Sequence, residues 1–594
     1  MIFRSFLFSL CLAATAGAAP IGVQPGAGAE PYRFDLSRNF FATPQAEVAG
    51  RPDVVRRAQT LADLAARIAT PADLLAAFEL DDRTQRLFRR HDLYLFLRYA
   101  TDIGRTDALS AADELRAAVR ASRQALRRAV IAREPDWLER AMRAEPRLTR
   151  YAFFIRTIRR EAPHLLSAEQ QAVVSALEPL LGAGEYPRIV NSLSFGSVEE
   201  GGRRLDARRD SSLIEASRDP AVRREGARLL FAGYGARRDL FAHLLVGAIE
   251  GANALARLRG HDSAEAEAAF DAYVDPAGYE ALLAEVARHG ETYKAWQRRV
   301  SDPFASPQRW SAGEAAAVIV ASAASLGPDY AREFEALLDP RNGRADLAGG
   351  DNRLAMTGTA SVYPTGSSAI YMYDFQGTVL DMVVLAHESG HAVQAQLMHR
   401  ADVPIAYAAG PGYFTESFGR FQELLLLDHL RRSERDPARR ARYRDALAAR
   451  LMSVFPSAEE AAVELAIHKG VTAGRLRTAD RLDAATAAAG APYSIEYERV
   501  PERRGLWMLS EGYFMAPMQE LNDAYASLLA LRYFQAWRRN PVGFRTFYLA
   551  LLSGGYDDEP RQLLLRHFGL DMAAPGFVPE TLEAMEAEVA ALYR

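Results

Sequence analysis

The stretch 376-QGTVLDMVVLAHESGHAVQAQL-397 constrains this chain more than any other. Its apolar and small residues suit a helix, and on a helix His387 and His391 lie on one face, where both imidazoles can reach a single ion. Glu388 stands between them, slightly to one side of that face. Two imidazole ligands, an open coordination position and an adjacent carboxylate base make up the layout of a zinc hydrolase. An exposed His/Glu helix is the bland reading of the same five letters, and the rest of the chain has to decide between them.

A helix this apolar needs a large body around it, and 594 residues at 49% hydrophobic can supply more than one domain or lobe. With 72 basic against 76 acidic residues, the chain lacks the basic face of a nucleic-acid binder. The first residues, MIFRSFLFSLCLAATAGAAP, have the form of a secretory leader over 1–19: Arg4 at the start, an apolar segment over 5–14 and a small-residue cleavage site at Ala16-Gly17-Ala18. Leu10 before Cys11 argues against lipidation, and loss of the leader removes the only cysteine, which excludes disulfides. The run 315-AAAVIVASAASLG-327 is too short to span a bilayer and reads as a buried helix. The expected product is exported, periplasmic or secreted, with no membrane anchor.

Residues 20–205 read as an N-terminal helical region, with apolar residues at helical spacing from about 52 onward (Leu61, Leu64, Ile68, then Leu74, Leu75 and Phe78). Its arginine-rich turns, Arg86, Arg89 and Arg90 and then Arg156, Arg159 and Arg160, are expected to be solvated faces, as is 435-RDPARRARYRDALAAR-450. Residues 206–594 read as the catalytic region. A second helical block covers about 212–300, and His243 and His289 within it are expected to pack or face solvent. The turn-rich, aromatic segment 339–377 predicts a loop and short strand beside the motif helix. Thr378 and Asp381 have capping-box spacing; Asp381 could also orient a zinc-bound histidine, although capping is the more economical role. Loops are expected near 401–413, 486–494, 553–560 and 571–577.

A catalytic zinc needs a third protein ligand. A metzincin would place histidine six residues past His391, but Leu397 is there; thermolysin-like enzymes place glutamate about twenty residues on, where Gly410 and Pro411 stand. The acids between 392 and 430 are Asp402, Glu416, Glu423 and Asp428. Glu416, 25 residues after His391, lies where a second helix begins and could complete the coordination; Glu423, seven further on, falls on roughly the same face and could support a ligand.

This spacing resembles that of the oligopeptidases typified by thimet oligopeptidase and oligoendopeptidase F. The similarity extends to 371-YMYDFQGTVLDMVVLAHESGHA-392, to the loop 339-DPRNGRADLAGG-350 and to 255-LARLRGHDSAEAEAAFDAYVDPAGYEALLAEV-286, which is closer to oligoendopeptidase F. It covers roughly 200–570. The resemblance implies His387, His391 and Glu416 as ligands of one Zn2+, Glu388 as general base, and short peptides as substrates. It implies a mainly α fold, with two helical lobes around a deep substrate channel and a small β element beside the zinc helix. The family also carries a histidine and several tyrosines on a C-terminal helix. The corresponding stretch, 505-GLWMLSEGYFMAPMQELNDAYASLLAL-531, offers Tyr513 but has Met518 and Leu521 at usual tyrosine positions and no histidine. Tyr513, or backbone N–H groups of the 343–367 loop, are the candidate oxyanion donors. A peptide-binding homologue with little catalysis is the competing expectation.

Overall fold

A computed structural model describes residues 31–594 apart from 178–184, 216, 218, 301, 305–307, 351, 355–356 and 361–367. The leader read over 1–19 and part of the 343–367 loop lie outside the described residues.

The chain folds mainly as helices, and their starts follow local chemistry. Thr43 caps Pro44–Ala65, a Thr70/Asp73 capping box opens Pro71–Thr101, and Asp219 caps Pro220–Gly235 with proline in its first turn. Leu61, Leu74, Leu75 and Phe78 bury together with Leu126 and Ile155, and this cluster continues into Ala395 and Met398 of the motif helix. The N-terminal array therefore closes directly over the distal half of that helix.

The motif helix runs Val379–Arg400 and is buried along nearly its whole length. It crosses the helix Gly412–Ser433, hereafter the ligand helix, which packs in turn on Glu520–Arg539 and Pro437–Leu451. A three-stranded sheet lies beside the motif helix. Ala369–Met372 is its centre, parallel to Ala345–Asp346 and antiparallel to Thr357–Ala360, with Ala345 opposite Ile370 and Thr357 opposite Met372. Just before the central strand, the Ser368 hydroxyl donates to the Ala392 carbonyl at 2.8 Å, pinning the sheet to the turn that bears His391. The small β element expected beside the motif helix is this sheet. Among the described residues, no helix is long and apolar enough to cross a membrane.

Three local expectations need correction. The helix Ala479–Gly490 fills part of the loop expected at 486–494. Arg86 is not on a solvated face: its guanidinium pairs with Asp82 at 2.6 Å and donates to the Val403 carbonyl at 2.8 Å, bracing the segment after the motif helix. Arg450, at the end of a run expected to be solvated, turns inward. Periodicity placed these side chains relative to their own helices but not to neighbours far along the chain. His289 is a structural residue as expected, its Nδ1 lying 2.9 Å from Glu586.

Candidate metal centre

The close crossing of two helices builds the site. The motif helix begins at Thr378, whose side chain accepts from the Asp381 amide at 3.0 Å, while Asp381 Oδ2 accepts from the amides of Gln376 and Thr378 at 3.0 Å each. Asp381 thus has the capping role, and a different carboxylate orients the histidine. His387 Nδ1 lies 2.7 Å from Glu423 Oε1, which leaves Nε2 facing the opposite way. That Nε2 is 3.0 Å from His391 Nε2 and 3.2 Å from Glu416 Oε2, and His391 Nε2 is 3.7 Å from the same oxygen. All three ligand atoms lie within 4.8 Å of one another, and all three residues are buried or nearly so.

Two nitrogens and one carboxylate oxygen converging on one point suit a borderline divalent cation such as zinc. The electrostatics fit as well. Burial would favour a neutral imidazole, yet hydrogen bonds to Glu416 and Glu423 outweigh it and hold His387 up to about 10. Burial would likewise raise Glu416, but the charge of His391 and the hydrogen bonds from both imidazoles hold it well below the usual carboxylate range. The cluster demands positive charge, and a bound cation meets that demand in place of a proton.

A family model described as Oligopeptidase F matches residues 132–186, N-terminal to the motif helix. Oligopeptidase PepF of Bacillus subtilis is 22% identical over 332 residues, which is 52% of this chain and 49% of that protein; the match spans about half of the relative's length. A putative peptidase from Chlamydophila abortus superposes with a TM-score of 0.74 at 18% identity, over 96% of this chain and 100% of the other. Oligoendopeptidase-F from Enterococcus faecium gives 0.64 at 18% identity, over 91% and 96%. The fold is that of oligoendopeptidase F.

On this oligoendopeptidase F fold, several residues that sequence reasoning passed over complete the centre. Arg450 pairs with the second oxygen of Glu423 at 2.9 Å; Glu423 is buried and Arg450 nearly so. Burial raises the Glu423 carboxyl, but the Arg450 charge and the His387 hydrogen bond keep it ionised and below its ordinary range. Such an outer partner fixes the tautomer and direction of a ligand imidazole. Gly419 lets the ligand helix approach: a Cβ there would lie 2.6 Å from His387 Cε1. Gly390, inside the motif itself, lies at the same crossing, where a Cβ would be 2.9 Å from Gln422 Cγ.

Tyr556 was also missed. Its hydroxyl accepts from Gln394 Nε2 at 3.0 Å and lies 2.7 Å from the Thr415 hydroxyl, so it bridges the turn after His391 to the residue before Glu416. Its ring fits only because position 410 is glycine, where a Cβ would lie 2.3 Å away. Burial pushes the phenol up to about 12, with the hydrogen bonds from Thr415 and Gln394 opposing, so it stays neutral. Tyr556→Phe is expected to weaken divalent-cation affinity by up to about tenfold, the low end for outer-shell partners. Chelator competition would measure it, and an unchanged affinity would remove Tyr556 from the supporting set.

The structure gives Tyr513 a packing position. It is buried beside Phe241, Trp507 and Phe514, and its hydroxyl donates to the Glu460 carbonyl at 2.8 Å. Met518, at a usual tyrosine position, adopts φ 59°, and Glu464 accepts from the Glu520 amide at 3.1 Å just beyond it. The buried carboxyl group of Glu464 therefore ties down the start of this C-terminal helix.

Proposed function

We propose that this chain is a metal-dependent oligopeptidase that hydrolyses short peptides, with zinc held by His387, His391 and Glu416. The observation that carries the reading is the buried convergence of those three ligand atoms, with Glu388 adjoining His387 on the same helix. A divalent cation held there would polarise the scissile carbonyl and make water more acidic. Glu388 accepts a proton from the attacking water at its carboxylate and returns it to the leaving nitrogen. Glu423 and Arg450 keep His387 aligned throughout. The names of the related proteins and the fold they share support the peptidase reading. So does the sequence resemblance, whose family fold restricts a deep channel to peptides. In this reading the leader places the activity outside the cytoplasm, periplasmic or secreted.

Quenched fluorescent peptides of graded length test the proposal. Cleavage should disappear when the protein is stripped by a chelator and return on adding zinc, and a long denatured protein should be cut far more slowly than the peptides. Full turnover by the stripped protein would sink the metal mechanism. Peptide binding without turnover in the zinc-loaded protein would favour the binding homologue instead.

A further inference from the structure

A cavity of about 430 Å³ opens where the helix Ala152–Glu161, the turn after Ala264–Asp271 and the loop beyond Tyr556 meet. Arg156, Arg159 and Arg160 line it with a single carboxylate, Glu559, and the rings of Phe153 and Tyr273. These are the arginines that sequence patterning assigned to a solvated face.

The cations are held in place. The Arg160 guanidinium is stacked between two rings, 3.5 Å from the Phe270 centroid and 3.9 Å from that of Tyr273, and donates to the Phe270 carbonyl at 2.5 Å. Arg159 donates to the Arg133 carbonyl at 2.8 Å. Arg156 lies over Phe153 and pairs at 2.8 Å with Asp558, which Arg566 also neutralises at 2.6 Å. A stacked guanidinium has already lost its rotamer freedom and still presents an edge of N–H donors, the geometry that takes a carboxylate in two parallel hydrogen bonds.

Tyr273 is an independent observation. It closes the helix Ala264–Asp271 at φ 56°, with its amide on the Phe270 carbonyl and the Val274 amide on the Ala269 carbonyl. That position in a helix-ending turn normally takes glycine, and a bulky residue there is strained. Strain of this kind persists where surrounding structure enforces it, often at ligand sites. Here it places the tyrosine ring against Arg160.

Two walls of the cavity are braced on the start of the ligand helix. The Ala272 carbonyl, next to Tyr273, accepts from the Tyr413 hydroxyl at 3.2 Å, and Tyr556 touches Thr415. Thr415 immediately precedes Glu416, and Tyr413 stands three residues before it in the chain. We propose that this cavity binds a carboxylate of the peptide substrate, either its C-terminal carboxylate or an acidic side chain. The proposal rests on the peptidase reading above.

The test uses binding, so it stands apart from turnover. Zinc-loaded Glu388→Gln protein is titrated with labelled peptides in matched pairs, one pair free acid against C-terminal amide, the other internal Glu against Gln. One pair should show about tenfold tighter binding of the carboxylate form, as a charge-assisted pair gives, and the pair that does so identifies which carboxylate is read. Arg160→Gln should reduce that ratio to within about twofold. Arg156→Gln, at a side chain 59% exposed, should also reduce it and guards against misfolding of the first variant. Equal affinities within both pairs, or a ratio unaltered in the folded variants, would overturn the proposal. Loss of turnover in wild type with the discrimination intact would instead overturn the peptidase reading and leave the pocket standing.

Discussion

Glu388→Gln is expected to lower peptide hydrolysis by about a thousandfold, within the range set by loss of a positioned general base, while zinc affinity stays within about twofold. The split follows from geometry. The three converging atoms belong to His387, His391 and Glu416, so a metal held there would keep its donors when Glu388 becomes an amide. Glutamine preserves the shape of a side chain that is 2% exposed, and packing of the motif helix should persist. What is lost is a basic oxygen able to hold the water proton. Measuring kcat/KM alongside chelator competition separates the two effects. A variant retaining a tenth of wild-type turnover would show that another group takes the proton, and a collapse of zinc affinity would show that Glu388 belongs to the ligand set.

The parts of this centre that the sequence made legible are those set by local spacing. His387 and His391 share a face because they are one helical turn apart, and Thr378 with Asp381 announced the helix start through hydrogen bonds three residues apart. Glu416 was accessible because a helix was expected to begin near it and because the family resemblance set its distance. Glu423 was readable as a supporting residue for the same reason, and it is the carboxylate that meets His387 Nδ1. Arg450, Gly419 and Tyr556 were not legible, since each matters only through a partner on another element. An arginine at the end of a basic run looks solvated until the facing helix is known to carry Glu423. A glycine inside a helical pattern looks like a minor weakness until an imidazole fills the space beside it. Tyr513 illustrates the reverse: sequence context placed it near the chemistry, and the structure commits its hydroxyl to a backbone carbonyl.

The crossing glycines supply the other large effect. Gly419→Ala is expected to weaken zinc binding at least a hundredfold, about 2.7 kcal/mol. An added methyl would lie 2.6 Å from His387 Cε1 and 2.7 Å from both ring nitrogens, closer than such carbons come. The ring has little room to yield, because Nδ1 is tied at 2.7 Å to Glu423, which Arg450 holds from the other side at 2.9 Å. The crossing has no slack to take up the methyl, because a Cβ on Gly390 would already lie 3.4 Å from Gly419 Cα. The substitution therefore pushes His387 out of register with His391 and Glu416 or opens the crossing. Elsewhere the same change should act in the opposite direction: Gly247, on the helix Arg238–Leu258, has open space around the added carbon. Gly247→Ala should therefore stabilise the fold by roughly 0.5–1 kcal/mol, the usual gain for alanine over glycine inside a helix. Thermal unfolding of the metal-free proteins and chelator competition on both variants make the comparison. Wild-type zinc affinity in Gly419→Ala would mean that the imidazole moves freely at the crossing and that the centre is not preorganised.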